Sequence, residues 1–296
     1  TVYSERRLRV DNDNFGRLYE QMYATAYLAH PYQTPVIGWP SDIENWTQQD
    51  LEDFFKTYYA PNNQTMIFSG DVTPEAIYLL ADQYLSPIPR QHPPPEITTV
   101  EPGQLGPRRF ALEADAQTPL LHVVFHAVAE NDPEALHLEL LLTILAEGAS
   151  SRLYQALVET EQTALDVNAW RSGGFDPGVA YFAITLPPGG DPVTVEAMLL
   201  DMLEDIVNDG VSERELEKAR NLRLASFWRA LQTIDGKASA LGNYEVFTGD
   251  YENLFAVPEQ LAAASAADLK SIAAKVFRRT NMTVGVLRAP DDGGAE

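Results

Sequence analysis

The amino-acid sequence predicts an α+β protein whose domains are built from layers of helix and sheet. Three observations lead to this prediction. A helical run from Ala135 to Leu145 is apolar nearly all round, strand-like runs lie on both sides of it, and a proline-rich stretch divides the chain. A helix that is apolar all round is buried, so the second half of the chain is expected to pack around it.

This buried helix is predicted to be the first arm of a helical hairpin. Asp132 is in position to cap it and Pro133 suits its first turn. Gly148 is predicted to end it, because glycine readily adopts the left-handed conformation that follows a helix. Residues 150–158 are predicted to form the second helix.

The second half contains several strand-like runs, and Gly173, Gly174, Pro177 and Gly178 supply the turn between the third and the fourth. They occur in the order ββααββ, followed by several helices and a last strand. The predicted strands are residues 109–114, 120–127, 165–171, 179–186 and 282–287.

The first part of the chain has more predicted helices than predicted strands. It contains predicted helices over residues 2–30, 48–59 and the segment after Thr73, but a single predicted strand over residues 65–69. One strand cannot form a sheet. The first domain is therefore predicted to be incomplete, or to borrow strands from elsewhere.

Proline and polar residues mark the boundary between the two parts. Residues 87–106 are predicted to be a stiff, extended linker because prolines are frequent there and apolar residues are few. The predicted organisation is a partial first domain over residues 1–86 and a complete second domain over residues 107–290. The polar tail over residues 291–296 is predicted to be disordered.

Composition excludes several classes of function. The 296 residues carry 21 Lys and Arg against 43 Asp and Glu, a net charge of −22. Nucleic-acid binding requires clustered positive charge, so no nucleic-acid partner is expected. No apolar run approaches a membrane span and no cysteine is present, so neither a membrane span nor a thiolate site is expected. The composition predicts a soluble protein and leaves the periplasm and the cytoplasm open.

A complete catalytic motif is missing from the sequence. It contains no H-x-x-E-H, H-E-x-x-H, P-loop, G-x-S-x-G or G-x-G-x-x-G pattern. His122 and His126 have a helical metal-ligand spacing but lie in a predicted strand, where four residues span roughly 13 Å. Ligands of one zinc ion lie about 2 Å from it, so these histidines are interpreted as polar positions on one strand face.

Blocks of residues along nearly the whole chain resemble the insulinase/pitrilysin-type zinc peptidases, and most closely their processing-peptidase branch. The blocks follow that family's order, and together they are more specific than any one alone. They are Glu5, Ala26-Tyr27, His30-Pro31-Tyr32, Ile37-Gly38, Phe54-Phe55, Tyr58-Tyr59, Pro61-Asn62-Asn63, Gly70-Asp71, Gly148, Ser150-Ser151-Arg152-Leu153, Glu215 to Asn221 and Gly242 to Glu245.

The resemblance implies tandem α+β domains of the LuxS/processing-peptidase-like type and a zinc-dependent peptide hydrolase. In that family two His of H-x-x-E-H and a distal Glu hold the zinc ion. Glu5 matches the distal zinc-binding Glu, and Thr1 then follows the H-x-x-E-H helix. The alternative for Glu5 is a helix carboxylate paired with Arg9, four residues on. No zinc is expected on this chain alone, because one carboxylate cannot hold a catalytic ion.

The chain departs from the family's pattern where an Arg and a Tyr grip the substrate backbone. Those positions are Val158 and Leu165, and neither side chain can donate a hydrogen bond. The resemblance therefore implies a clamp-less unit that pairs, as a homo- or hetero-dimer, with a clamp-bearing subunit. Two hypotheses follow: part of a zinc endopeptidase that is inactive by itself, or a non-catalytic structural subunit of a peptidase-like complex.

Overall fold

The computed structural model describes residues 1–290, and the predicted disordered tail lies outside them. The chain forms two compact units. Unit 1 contains residues 1–37, residues 100–224 and the chain from Glu259 onward, and unit 2 contains residues 38–99 and 225–258. The proposed domain limits at residues 86 and 106 stay a prediction about domain organisation.

Unit 1 is built on one five-stranded sheet. The strands lie in the order β1-β5-β2-β4-β3, with β1 parallel to β5 and every other pair antiparallel. Each predicted strand of the second half is present to within one residue at either end. The strands are β1 Arg108–Glu113, β2 Leu120–His126, β3 Asp166–Arg171, β4 Val179–Thr185 and β5 Met282–Arg288.

The helices begin and end close to sequence signals. Thr47 and Ser265 each form a capping box with the aspartate three residues later, and Thr73 caps the helix that starts at Pro74. The helices are α1 Val2–Arg6, α2 Asn14–Ala26, α3 Pro40–Asn45, α4 Gln48–Tyr58, α5 Pro74–Tyr84, α6 Ala135–Ala146, α7 Pro192–Asp209, α8 Glu213–Ala230, α9 Ile234–Thr248, α10 Asn253–Ala263 and α11 Ala266–Val276. Short 3₁₀ turns lie at Pro31–Gln33, Pro61–Asn63 and Arg279–Asn281.

The central strands of the sheet are buried on both faces. All but the last residue of β2 and of β4 are buried. Helices α6 and α7 contact one side of the sheet, and α11 packs against both of them. Helix α2 contacts β5, β2 and β1, and its residues Met22 and Ala26 share a core with Val124 and Tyr181. The predicted burial of the helical hairpin is confirmed for α6, whose residues Leu138 to Ala146 are buried except Glu139.

Several predicted helix limits are wrong. Residues 2–30 do not form one helix, because a π-helical segment over Arg7–Asp11 separates α1 from α2, which Asp13 caps. Asp132 accepts a hydrogen bond from the Glu134 N–H at 2.8 Å but does not cap α6, which begins later, at Ala135. The second arm of the hairpin contains a π-helical segment, Tyr154–Thr160.

The strand predicted over residues 65–69 is also wrong. This run has no strand hydrogen bonding, and within the described part of unit 2 there is no other strand to pair with it. Extended apolar residues form a strand only when a neighbour completes the hydrogen bonds. Unit 2 instead exposes many large apolar side chains. These include Leu51, Phe54, Phe55, Tyr59, Phe68, Tyr78, Leu79 and Tyr84.

Among residues 1–290, no helix has the length and apolar character needed to cross a membrane.

The core of unit 1 predicts a large effect from one truncation. Leu141→Ala in α6, where the side chain is fully buried, is expected to lower the free energy of unfolding by about 2–5 kcal/mol, because it removes contacts and leaves a cavity. Urea unfolding followed by circular dichroism measures this loss. The control is Leu105→Ala, whose side chain is 96% exposed. Equal midpoints for the two variants would contradict the described packing.

Candidate functional site

Glu5 lies on the surface at the end of α1. Its Oε1 is 3.0 Å from Arg9 Nε, and both side chains are largely exposed. The i,i+4 pair that the sequence allowed is therefore present. Across the described residues, no three His, Cys, Asp or Glu side chains lie close enough together to hold a metal ion. Glu5 would therefore need further ligands to form a zinc site.

His122 and His126 lie on the face of β2 that α2 covers, and each has its own partner. His122 Nδ1 is 2.7 Å from the Tyr181 hydroxyl, and His126 Nε2 is 2.9 Å from the Ala26 carbonyl oxygen. Burial lowers the pKa of His122 to about 3 and also lowers the pKa of His126. Both therefore serve as neutral hydrogen-bonding groups, and they lie on one face of the strand as the sequence predicted.

The structure places Val158 and Leu165 near the start of β3. Val158 is half-buried within the π-helical segment, and Leu165 is exposed. The N–H of Leu165 donates to the Thr185 carbonyl at 2.7 Å, so its backbone is held against β4. Neither side chain offers a hydrogen-bond donor. That these positions mark a clamp-less unit stays a prediction.

Strand β3 forms an open edge of the sheet. Ser172 donates to the Val179 carbonyl, and the β3–β4 register pairs Trp170 with Tyr181 and Asn168 with Ala183. Alternate residues of an antiparallel strand bond to opposite sides, so the N–H and C=O groups of residues 167, 169 and 171 point away from β4. A neighbouring strand or peptide could bond to these groups.

A cleft of about 450 Å³ lies beside this edge. The C-terminal half of α6 forms one side, residues 168–171 of β3 form another, and Arg223 of α8 completes it. Polar side chains in the lining include Thr143, Glu147 and Asn168. The cleft therefore joins unpaired strand backbone to polar side chains, which is the combination that peptide-binding grooves use.

A charged cluster fixes the inner end of the cleft. Arg171 Nη2 is 2.8 Å from both Glu130 Oε2 and Glu139 Oε1, and Arg223 bonds to the other oxygen of Glu139. The Arg171 side chain is only 3% exposed. Burial acts to lower the pKa of Arg171, but Glu139 and Glu130 raise it further, so the guanidinium stays charged. Removing either side of such a pair would leave a buried charge unpaired.

The sequence did not predict this cluster, although it contains one signal. Glu139 is a charged residue inside an otherwise apolar helix. Charged side chains are rarely buried unless they are paired, so Glu139 required a cationic partner. The identity of the partners, Arg171 and Arg223, depends on which strand and helix lie beside α6.

Two blocks that carried the family resemblance meet in unit 1. Arg152 Nε is 2.6 Å from Glu215 Oε1, and Arg152 Nη2 is 2.9 Å from Glu215 Oε2. Glu215 also accepts from Ser212 in a capping box at the start of α8. Lys218 Nζ donates to the Ser150 hydroxyl at 2.5 Å. These contacts join the hairpin to α8 and have a structural role.

A comparison of the sequence with protein-family models identifies residues 45–223 as a peptidase M16 inactive domain. The chain belongs to the M16 peptidase family. The predicted insulinase/pitrilysin-type relationship is thereby confirmed, as is the α+β fold class.

Individual relatives agree with this assignment. The zinc protease PqqE of Helicobacter pylori is 28% identical over 298 residues, covering 97% of this chain and 65% of the relative. The crystal structure of a protease from Helicobacter pylori matches with a TM-score of 0.90 at 26% identity, over 98% of this chain and 70% of that one. Complex III2 from Candida albicans contains a chain of the same fold, with a TM-score of 0.77 at 15% identity over 96% of this chain and 69% of that one. This M16 chain thus spans about two thirds of the length of its relatives.

The Arg152–Glu215 pair predicts a strongly acidic carboxyl group. Hydrogen bonds from Arg152 and Ser212 lower the pKa of Glu215 to about 2. Arg152→Met should raise the pKa of Glu215 toward its ordinary value of about 4.3, which NMR titration of the Glu215 carboxyl carbon measures. Because the folded pKa is depressed, this pair stabilises the fold above pH 4.3 and ceases to do so as the pH falls toward 2.

The control for this titration is Arg109→Met, which breaks the separate Arg109–Glu196 pair. That variant should leave the Glu215 titration unchanged. An unaltered Glu215 pKa in Arg152→Met would show that the ion pair does not set its acidity.

Proposed function

We propose that this chain is the peptide-binding, non-cleaving part of an M16-type peptidase. The observation that carries this proposal is the open β3 edge beside the polar cleft, in a chain whose sequence contains no H-x-x-E-H. An extended peptide would add to β3 as a further strand, with main-chain hydrogen bonds supplying affinity. Side chains of the peptide would enter the cleft beside α6.

The chemistry of the cleft suits a peptide better than a charged small molecule. Arg171 and Arg223 are already paired with Glu130 and Glu139, so no free charge dominates the inner end. Besides the Glu147 carboxylate, which accepts from the Thr143 hydroxyl at 3.0 Å, the groups left to bind a ligand are the outer main-chain N–H and C=O groups of β3, which recognise backbone irrespective of sequence. The substrate class is therefore peptides in an extended conformation.

We further propose that Glu5 completes a zinc site whose other ligands belong to the longer protein. Its match to the distal family Glu and the zinc protease names of the relatives support this. A bound zinc ion would supply the hydrolytic chemistry, while this chain's residues would hold the peptide. Val158 and Leu165 support a dimer in which a partner subunit carries the backbone clamp.

The alternative is a non-catalytic subunit that supports a larger assembly. The Complex III2 chain has the same fold, and Glu5 already has a partner in Arg9. In this alternative Glu5 serves only in a surface ion pair. The exposed apolar side chains of unit 2 would then contact other subunits.

Peptide binding tests the proposed role of β3. Ala169→Pro removes an N–H that points to the open edge, and it should weaken binding of fluorescein-labelled, unstructured decapeptides about tenfold. Fluorescence anisotropy measures the dissociation constants. Glu113→Ala, an exposed change in β1 at the opposite edge of the sheet, is the control and should bind as the parent does. Equal binding by all three proteins, each verified as folded, would contradict the proposal.

Glu5→Gln tests the zinc assignment in the full-length protein. If Glu5 is a ligand, the variant should retain less zinc and lose peptide hydrolysis by at least about tenfold, because an amide is a weaker zinc ligand than a carboxylate. Metal analysis and cleavage of a quenched fluorescent peptide measure the two effects. Glu44→Gln, at another exposed position, is the control. Undiminished zinc content and hydrolysis in Glu5→Gln would favour the surface ion pair.

A further inference from the structure

The Glu101 carboxylate attaches the proline-rich linker to residues 28–30 of unit 1. Glu101 Oε1 accepts from the N–H of Leu28 at 2.8 Å, and Oε2 accepts from the N–H groups of Ala29 and His30 at 2.9 and 3.0 Å. Three consecutive main-chain donors therefore converge on one side chain. Such a cup of N–H groups is an anion site, and here the linker itself supplies the anion.

Side chains from two strands complete the surroundings of this carboxylate. Arg108 of β1 places Nη1 3.7 Å from Glu101 Oε1 and also donates to the carbonyl oxygens of Thr25 and Ala26. His126 of β2 contacts the same Ala26 oxygen. The carbonyls at the end of α2 and the N–H groups just beyond it are thus satisfied by distant parts of the chain.

The linker before Glu101 has no comparable attachment. Asn62 and Gln91 exchange two hydrogen bonds at 2.9 and 3.1 Å within unit 2. From residue 92 to residue 100, within the structure as described, no hydrogen bond or ion pair is formed, and the segment is largely exposed. Glu101 is consequently the first residue after Gln91 that holds the linker.

We propose that Glu101 is a charge-dependent latch that holds the linker on unit 1 and releases it when the carboxylate is protonated. A neutral carboxylic acid accepts these three N–H groups more weakly and has no attraction to Arg108. When Glu101 is ionised, the linker is held at residue 101. When Glu101 is protonated, the linker is held only from Gln104, whose amide donates to the Met282 carbonyl oxygen.

Several titratable groups surround Glu101 and influence its pKa. Burial acts to raise the pKa of Glu101, but the hydrogen bonds from residues 28–30 outweigh it and hold the pKa below its ordinary value. Arg108 and His126 face it from the sheet, Tyr27 and His30 face it from the end of α2, and Asp176 pairs with His30 at 3.2 Å. The latch is closed above about pH 4.3 and opens as the pH falls through the lowered value.

Amide hydrogen exchange tests the latch at its own donors. In Glu101→Gln at pH 7, protection of the Leu28, Ala29 and His30 amides should fall by roughly tenfold or more. Protection of the α6 amides should stay at the parental level. Glu96→Gln, an exposed linker carboxylate, is the matched control and should resemble the parent throughout. Parental protection of residues 28–30 in Glu101→Gln would overturn the proposal.

If the Glu101→Gln variant unfolds, a pH series on the unaltered protein tests whether protonation of Glu101 releases the linker. With rates corrected for intrinsic exchange, the amides of residues 28–30 should keep their protection down to about pH 4.3 and lose it as the pH falls further, while the α6 amides remain protected. Loss of both sets at the same pH would mean that unit 1 simply unfolds in acid. That outcome would overturn the latch.

Discussion

Burial of β2 and β4 on both faces is the constraint on which unit 1 depends. Helices α6 and α7 cover one face, and α2 covers part of the other. Successive side chains of a strand point to opposite faces of the sheet. When both faces are buried, neither direction leads to water, so each polar side chain needs a hydrogen-bond partner within the protein. His122 finds the Tyr181 hydroxyl and His126 finds the end of α2. The contact with α2 therefore makes an N-terminal helix part of a core built mainly from the second half of the chain.

The same constraint explains why charge is concentrated at the β3 edge. Moving outward from β4, burial decreases, because in β3 only Val167 is buried and Arg171 is intermediate. Its side chain turns toward Glu139 of the buried helix, and Arg223 neutralises the other oxygen of that carboxylate. The network holds β3 against α6 through charge, while the outer hydrogen-bonding groups of β3 stay open.

Local sequence signals were sufficient for the strands of the second half of the chain and insufficient for the strand predicted in the first. The inner strands β2, β4 and β5 are mainly apolar runs with β-branched residues, and the partners of all five strands lie in the same chain. The run at residues 65–69 has the same composition yet forms no strand, because composition does not supply a hydrogen-bonding neighbour. The π-helical winding over Arg7–Asp11 had no signal in the sequence, whereas the break that follows it falls at Asp13, a residue type typical of a helix start.

The site residues also divide into those with a signal in the sequence and those whose contacts depend on the fold. The sequence indicated Glu5 only through the family resemblance, and the structure shows its carboxylate beside Arg9. Glu139 was visible as a misplaced charge, but Arg171 and Arg223 become its partners only through the fold. Glu101 had no local signal at all, because it contacts residues more than 70 positions earlier in the chain. In a proline-rich stretch, its sequence context indicates only a solvent-exposed residue.

The proposed peptide binding and the proposed zinc chemistry would use separate residues of this chain, so one could be present without the other. The proposed strand addition at β3 would use main-chain groups and a cleft that unit 1 forms by itself. Glu5 offers one exposed carboxylate, and a catalytic zinc needs about three protein ligands. A descendant of the family could therefore lose the metal and keep the open edge, because no residue of the cleft depends on Glu5. For this reason, retention of the β3 edge argues for peptide recognition in either proposed function, whereas hydrolysis depends on groups beyond those described.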